Sequence, residues 1–262
     1  PYTCYTRETL LKLRDLWNAR HPDISIETKS PRKIWDFLRH NLKDICDKES
    51  CWLRQNFAKG GFENGIQSYL FAPKAPNVWK QNINEWLSSI DIQNVMKQYE
   101  DKYPCFEFLG PSPIDYDTKI DDVCVFDEIC NFSILETLRD GKYKVGIIFN
   151  TDPHFKGGEH WFAMFIHLKE GKIYYFDSYA SPPTKEILRL VKNIQTQGKM
   201  LGKQFKFIKN KKQHQFKNSE CGMYSLYFII QMLKHNDFQK FEDKRITDKK
   251  MENLRYKYFN IN

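Results

Sequence analysis

The sequence lacks several features that would assign it directly to a broad class. It has no run of about eighteen apolar residues, so we expect no membrane span, and its first residues lack the apolar segment of a secretory signal. No two cysteines have the two-residue spacing of a zinc knuckle, so we expect no metal ion and no other cofactor. Internal repeats and low-complexity tracts are also absent, which excludes a repeat architecture.

The cysteines that are present follow no regular framework. Their number is odd, seven, and their spacing along the chain is irregular. They are Cys4, Cys46, Cys51, Cys105, Cys124, Cys130 and Cys221. Disulfide-rich secreted domains carry even numbers of cysteines, so this pattern predicts free thiols in a reducing intracellular compartment.

Positive charge is in excess, which predicts attraction to polyanions. The formal net charge is +8 and the isoelectric point is about 9.0. Lysines are densest in KMLGKQFKFIKNKK, residues 199–212, where Phe205 and Phe207 alternate with them. Such a segment suits either a half-buried strand with a solvated lysine face or a nucleic-acid contact. No DNA- or RNA-binding signature accompanies it, so we favour the strand and predict only weak, sequence-independent DNA binding.

The chain divides into two parts with different patterns. Of its 262 residues, 41% are hydrophobic and 15% aromatic, which is enough for a substantial core. Residues 1–103 form a predicted helical N-terminal region, with helical spacing over 6–19, 31–46 and 91–103 and a cap at Ser30. Pro104 and the segment LGPSPIDYD mark a break, and the pattern of residues 104–262 predicts a domain of the α+β class.

The α+β domain alternates helical and strand patterns. We predict strands over residues 144–150, 160–168 and 172–176, followed by the lysine-rich strand. We predict helices over residues 132–139 and 185–195, a helix that carries Cys221, and a last helix capped by Thr247. Gly141 is expected to end the first of these helices in the left-handed conformation.

The segment KNSECGMYSLYF places a thiol where a polar stretch meets an apolar one. Apolar residues recur at helical spacing from Met223 onward, which predicts a helix that begins at about Glu220 and buries one face. Ser219 or Asn218 is the expected cap. Cys221 then lies in the first turn, where the unpaired N–H groups and the helix dipole stabilise a negative charge.

Cys221 alone does not identify a site, because buried cysteines commonly serve as small apolar residues. A nucleophile also needs a base and a third group that orients the base, and Gly222 would leave its sulfur open to approach. His160 is the candidate base, because it opens a predicted strand directly after the Gly-Gly of GGEHW. His167 lies seven residues on and faces the other side of the strand, and His154 in the preceding loop is the weaker candidate.

Two further side chains complete a candidate catalytic set. Asp177 ends the next predicted strand in YYFDS, so antiparallel pairing would bring it to the same end as His160. Its carboxylate can accept the Nδ1–H of the imidazole, and it can also cap the following turn. Gln215, six residues before Cys221, offers an amide to an oxyanion, with the Cys221 N–H as the second donor.

These motifs together resemble one superfamily of cysteine proteases. GGEHW, YYFDS and HQFKNSECG are similar to the His-Trp, Asp and Gln-x5-Cys-Gly series of the ubiquitin-like-protein proteases and the adenovirus maturation protease. The strongest likeness is to the polyprotein-processing proteases of large cytoplasmic DNA viruses, of the African swine fever virus type. It includes the turn at residues 150–152, the Glu-Cys-Gly motif and the stretch at residues 49–52.

The resemblance implies an α+β fold of the adenain and SUMO-protease type behind a helical N-terminal region. The implied catalytic residues are His160, Asp177, Cys221 and Gln215, and the implied substrate-binding residues are Trp161, Asn150 and Gly222. Trp161 would roof a narrow tunnel that only glycines pass. The swine fever enzyme has asparagine where this chain has Asp177, so the histidine should be oriented more strongly here.

The leading hypothesis is therefore a viral endopeptidase that cleaves structural polyproteins after Gly-Gly-X type sites during virion maturation. The resemblance places such an enzyme in the virion and in the viral factories of the host cytoplasm. One alternative is an isopeptidase that removes a ubiquitin-like modifier, and another is an acetyltransferase that uses the same triad. A basic capsid- or nucleic-acid-binding protein with a vestigial site is the non-enzymatic alternative, and the intact catalytic set argues against it.

Overall fold

The computed structural model describes residues 2–46, 48–58, 61–62 and 72–261, and the chain forms two compact units, Pro1–Ala72 and Pro73–Asn262. The first unit is helical where the sequence predicts helices. Helix α1 spans Arg7–Arg20 and α2 spans Pro31–Leu42, with short 3-10 helices at Pro22–Ile24 and Glu49–Arg54. Their buried faces form one aromatic core that includes Trp17, Trp35 and Trp52.

The helix caps of the first unit agree with the sequence only in part. Thr6 caps α1 with its side-chain oxygen, which accepts the N–H of Thr9. Ser30 occupies the N-cap position of α2 as predicted, but its side chain makes no capping hydrogen bond. Pro31 at the first helical position starts α2 instead, since its fixed φ suits a helix and it has no N–H to satisfy.

Four of the seven cysteines are paired, so the prediction of free thiols throughout was wrong. Disulfides join Cys46 to Cys51 and Cys124 to Cys130, with Cα–Cα distances of 5.5 and 6.3 Å. The spacings that fail to fit a zinc knuckle suit these short loops. Cys4, Cys105 and Cys221 are free thiols.

The second unit is built around a mixed five-stranded sheet, which confirms the α+β class. The strand order is β1-β4-β5-β6-β7; β5 and β6 pair antiparallel, as the sequence analysis expected for the strands next to His160 and Asp177, and β4 also pairs antiparallel with β5. The outer strands β1 and β7 run parallel to their neighbours. The bounds are β1 Phe106–Pro113, β4 Lys144–Asn150, β5 Trp161–His167, β6 Lys172–Phe176 and β7 Lys206–Lys209, with a separate hairpin of β2 Lys119–Ile120 and β3 Val123–Cys124.

Helices cover both faces of this sheet. The helices of the second unit are α3 Ser89–Lys102, α4 Asp127–Cys130, α5 Ile134–Arg139, α6 Lys185–Met200, α7 Cys221–His235, α8 Lys240–Asp243 and α9 Asp248–Tyr258. On one face α7 packs against β5, and α3 and α9 pack against α7. On the other face the apolar side of α6 packs against the alternate residues of the central strands. Because α7 is enclosed, nearly all of its residues are buried, not one face as predicted.

Residues 73–103 belong to the second unit, although the sequence pattern grouped them with the N-terminal region. Helix α3 buries Ile92, Val95 and Met96 in the same core as α7, which accounts for this placement. A capping box between Ser88 and Asp91 fixes where α3 begins.

The lysine-rich segment is only partly a strand. Lys199 lies at the end of α6, and the strand β7 is limited to Lys206–Lys209. Phe205 is buried and Phe207 packs against the core, so neither ring is free to stack on a base. The arrangement favours a strand with a solvated lysine face, and weak DNA binding stays a prediction.

Among the described residues, no helix has the length and apolar composition needed to cross a membrane.

Close packing in the sheet yields a stability prediction. A methyl group added at Gly146 in β4 would lie 2.9 Å from a ring carbon of Phe106 and 3.0 Å from Ile229. Gly146→Ala should therefore lower the free energy of unfolding by about 1–3 kcal/mol, as overpacking in a core does. Gly157→Ala is the matched control, because nothing lies within 4 Å of the added carbon. Urea denaturation measures both, and equal midpoints would contradict the packing.

Candidate active site

The first turn of α7 carries the thiol that the sequence singles out. Cys221 is the first residue of the helix and is 3% exposed. The predicted caps Ser219 and Asn218 were wrong, because Glu220 occupies the capping position and makes no side-chain capping bond. The N–H groups of the first turn have no partner within the helix, so they remain available to an anion beside the sulfur.

The histidine and the aspartate meet as the strand pairing predicts. His160 directly precedes β5 and Asp177 directly follows β6, and these strands are antiparallel neighbours. The Nε2 atom of His160 lies 2.8 Å from Oδ2 of Asp177. The sequence predicts Nδ1 for this contact, but in the structure Nε2 makes it. His160 also interacts with Cys221, and this interaction contributes to the raised pKa of the imidazole.

The imidazole of His160 is held in its charged form. Burial lowers the pKa of His160, but hydrogen bonds to Asp177 and Cys221 and the charges of both partners outweigh burial and raise the pKa to about 9. The side chain of His160 is 15% exposed and that of Asp177 is 2% exposed. The site can therefore keep an imidazolium next to the sulfur at neutral pH.

The carboxylate of Asp177 also caps the turn that follows it, as the sequence analysis allowed. Its Oδ1 atom accepts the N–H groups of Tyr179 and Ser181 at 2.7 and 3.3 Å. A further residue, Asn210, holds the main chain of Asp177 through two hydrogen bonds of 3.0 and 2.8 Å. Sequence reasoning missed Asn210. Its signal was its position directly after β7, which pairs parallel with β6 and so ends beside Asp177.

Gln215 is fully buried. Its Oε1 atom accepts the hydroxyl of Ser178 at 2.6 Å, which fixes the orientation of the amide. Its Nε2 atom donates to the carbonyl of Lys217 at 2.6 Å and to the hydroxyl of Tyr179 at 3.0 Å. Both amide protons are therefore in use, and an oxyanion would have to replace one of these acceptors.

The residue before Gln215 anchors the same loop. His214 is fully buried, and burial lowers its pKa to about 4, so it stays neutral at physiological pH. Its Nδ1 atom accepts the N–H of Ile246 at 3.0 Å.

The two other histidines that were considered as candidate bases lie elsewhere. His167 is at the far end of β5, and His154 bonds Asp115 at 2.8 Å.

The predicted substrate-binding residues are less open than the sequence suggests. Trp161 is 9% exposed, and its Nε1 atom donates to the carbonyl of Leu87 at 3.0 Å. A carbon added at Gly222 would lie 3.1 Å from Leu87 Cβ, so the leucine covers this glycine. Asn150 is also 9% exposed, and its Oδ1 accepts the main-chain N–H of Asp152 at 2.9 Å.

Two clefts flank this region and share one residue. The first, of about 540 Å³, is lined by Trp161 and Asn150 among others, and the second, of about 670 Å³, by Tyr179 and Phe216 among others. Trp86 lines both clefts and is 43% exposed. Sequence reasoning did not find Trp86, because the predicted helical region before residue 104 gave no reason to connect it with the site.

A thiol bonded to an imidazole that is itself oriented by a carboxylate is the constellation of a cysteine peptidase. The comparisons with known proteins agree. The model of the Ulp1 protease family, C-terminal catalytic domain, matches residues 141–262. A thiol protease of Acanthamoeba polyphaga mimivirus is 32% identical over 98% of this chain and 84% of its own length. The chain belongs to the Ulp1 protease family.

Two further comparisons extend the likeness to the whole chain. The SUMO-1 cysteine protease of African swine fever virus is 24% identical over 91% of this chain and 92% of its own length. A crystal structure of the swine fever virus protease matches with a TM-score of 0.70 at 20% identity, over all of this chain and 93% of that one. The fold is therefore that of the swine fever protease, including its helical N-terminal part.

The raised pKa of His160 predicts the pH dependence of the enzyme. The imidazolium form is lost as pH rises through about 9, so kcat/KM should fall on the alkaline side near this pH. The same shift stabilises the fold fully below pH 6.5, and this contribution is also lost as pH rises through about 9. Asp177→Asn should move the alkaline limit of activity down by about 1–3 pH units, since it removes the adjacent negative charge.

The control for this profile is Glu170→Gln, which removes the carboxylate 3.5 Å from His167 and should leave the profile unchanged. An alkaline limit that stays in place in Asp177→Asn would show that His160 is not the titrating group.

Proposed function

We propose that this protein is an endopeptidase that cleaves viral structural polyproteins after glycine-rich sites during maturation of the particle. The observation that carries the proposal is the close packing of side chains around Gly222, the residue after Cys221. Leu87 packs onto Gly222 and holds the indole of Trp161, while Trp86 stands between the two clefts. A substrate that passes from one cleft to the other next to these side chains fits best where it has no Cβ, that is, at glycine.

The relatives support a viral setting for this activity. The two that match nearly the whole chain come from mimivirus and African swine fever virus, and their names describe a thiol protease and a cysteine protease. We therefore assign the substrate to the structural precursors of such a particle and the reaction to the virion and the viral factories of the host cytoplasm.

The proposed reaction requires one change in the observed contacts, at Gln215. The sulfur of Cys221 attacks the scissile carbonyl, and the oxyanion accepts hydrogen bonds from the Cys221 N–H and from Nε2 of Gln215. The Gln215 bond replaces the one to the Tyr179 hydroxyl, which lies at the cleft surface. His160 then gives its proton to the leaving amine, and later takes one from the water that hydrolyses the thioester.

A second candidate is an isopeptidase that releases a ubiquitin-like modifier from lysine. It is favoured by the family model and by the name of the swine fever relative, which includes SUMO-1. Both substrates would present glycine to the sulfur, and they differ only in the leaving amine, an α-amine or a lysine ε-amine. The contacts around Cys221 do not discriminate between these amines.

The experiment is incubation with viral precursor proteins and with ubiquitin-like conjugates, followed by mass spectrometry of the new termini. We expect cleavage of the precursors after glycine, whereas cleavage of conjugates alone would favour the isopeptidase.

Cys221→Ala should abolish all cleavage, and His160→Ala should be nearly as damaging. His167→Ala is the control and should be much less damaging, because His167 lies at the other end of β5. Equal losses in the two histidine variants would refute the site.

The oxyanion role of Gln215 gives a separate prediction. Gln215→Ala should lower kcat by about 10²–10³-fold with little change in KM, the cost of losing one oxyanion donor. Gln213→Ala is the matched control, because this neighbouring glutamine is exposed and bonds only the Gln215 carbonyl among the contacts seen, at 2.8 Å. An effect confined to KM would make Gln215 a substrate contact instead.

A further inference from the structure

One buried ion pair behind the nucleophile has no part in the chemistry described above. Arg255 of α9 and Glu220, the residue before Cys221, are both fully enclosed. The guanidinium donates to the carboxylate through Nε and Nη2, at 3.0 and 2.9 Å. It also lies over the ring of Trp79, with its central carbon 4.6 Å from the ring centroid. A buried arginine of this kind is expensive to desolvate, so its remaining bonds are informative.

The remaining donors of Arg255 reach two other segments. Nη2 donates to the carbonyl of Ser219 at 3.3 Å, in the loop that leads to the nucleophile. Nη1 donates to the carbonyl of Glu85 at 2.8 Å, one residue before Trp86. One guanidinium therefore joins the last helix, the start of α7 and the segment that carries the tryptophan shared by both clefts.

The segment at residues 81–88 depends on such contacts for its position. It contains no helix and no strand, so no ladder of main-chain hydrogen bonds holds it. Local turns, the capping box at Ser88 and the packing of Ile83 against the core also hold it. Around Trp86 it is fixed by the bond from Arg255 to Glu85, by Leu87 against Gly222, and by the bond from Trp161 to the Leu87 carbonyl. The first of these contacts lies immediately before Trp86 and the other two immediately after it.

We propose that Arg255, held by Glu220, is a positioning residue that fixes residues 85–87 over the nucleophile and thereby sets substrate binding. The proposal rests on the proposed function, since the substrate is taken to pass beside Trp86. A positioned segment acts on the substrate and not on the sulfur itself. Loss of the pair should therefore weaken cleavage of a peptide and leave the reactivity of Cys221 toward a small reagent unchanged.

The Glu-Cys-Gly motif gains a physical meaning from this arrangement. The carboxylate of Glu220 is fully buried, and its only charged partner among the ion pairs of the described residues is Arg255. A shorter aspartate would bring its carboxylate about 1.5 Å less far and would lengthen the bonds to the guanidinium. Glu220 and Arg255 therefore act together as one positioning pair.

The test separates positioning from simple structural support. Arg255→Met alone leaves the Glu220 charge buried without its partner, so it should lower Tm. The double variant Glu220→Met with Arg255→Met replaces the whole pair by apolar side chains, which is often neutral or stabilising, so Tm should return to near that of the parent. The main-chain carbonyl of Glu85 nevertheless lacks, in the double variant, the guanidinium that donates to it in the parent.

Three measurements are made on the parent and the double variant. We expect hydrogen exchange to be faster in residues 81–88 and unchanged in α7. We expect kcat/KM for a peptide with a Gly-Gly site to fall by about 10–100-fold, mostly through KM, as displacement of a positioning element does. We expect the rate of Cys221 alkylation by iodoacetamide, followed on its own peptide by mass spectrometry, to stay within about 2-fold of the parent.

Several outcomes would overturn the proposal. Parent-like exchange at 81–88 together with parent-like kcat/KM would make the pair purely structural. Alkylation that falls in parallel with cleavage would place the effect at the thiol. If the double variant does not fold, Arg255→Lys decides by the same three measurements, because it keeps the charge and loses the planar fork. If the parent cleaves no glycine peptide, the proposed function fails, and the exchange data still decide the positioning role.

The control is Arg189→Met, which breaks an ion pair of similar geometry at the surface. Arg189 bonds both oxygens of Asp117 at 3.0 Å and is half exposed. Its loss should leave the exchange at residues 81–88 and the peptide kinetics as in the parent. A change equal to that of the double variant would show that any arginine loss has this effect.

Discussion

The hydrogen bond between Nε2 of His160 and Asp177 determines the rest of the site. It orients the imidazole, and together with the interaction between His160 and Cys221 it favours the charged form of the imidazole next to the sulfur. The bond forms because β5 and β6 pair antiparallel, so the residue before one strand meets the residue after the other. Apolar side chains on both faces of the sheet hold these strands in register, and a shift of one residue would move His160 to the other face.

The turn that follows Asp177 also holds the loop that carries Gln215. Ser178 directly follows Asp177. Its main-chain carbonyl accepts the N–H groups of His214 and Gln215 at 2.8 and 2.9 Å, and its hydroxyl donates to the side-chain oxygen of Gln215. Tyr179 is bonded both to the carboxylate of Asp177 and to Gln215. A change in this turn therefore acts on His160, through Asp177, and on Gln215 together, so substitutions here should not have additive effects.

Sequence reasoning succeeded where the pattern is local. The strands Lys144–Asn150 and Lys172–Phe176 were predicted to the residue, because their apolar runs are bounded by polar and turn residues. It failed where a contact joins distant segments. Asn210 supports Asp177 across 33 residues, and Arg255 reaches Glu85 across 170, and no periodicity connects such positions. The disulfides were missed for a different reason. The odd total number of cysteines argued against pairing, although two pairs lie close together in the sequence.

The proposed catalytic residues and the proposed substrate contact Trp86 lie on parts of the fold that differ in regular structure. His160, Asp177 and Cys221 lie at the ends of two central strands and of a helix enclosed on all sides, so their geometry is set by the core. Trp86 lies instead on a segment without regular structure, held by a few side-chain contacts. Such a segment can change its shape at little cost to global stability, whereas the catalytic residues cannot move without disturbing the sheet. Substrate preference can therefore diverge among related proteases while the catalytic geometry stays the same.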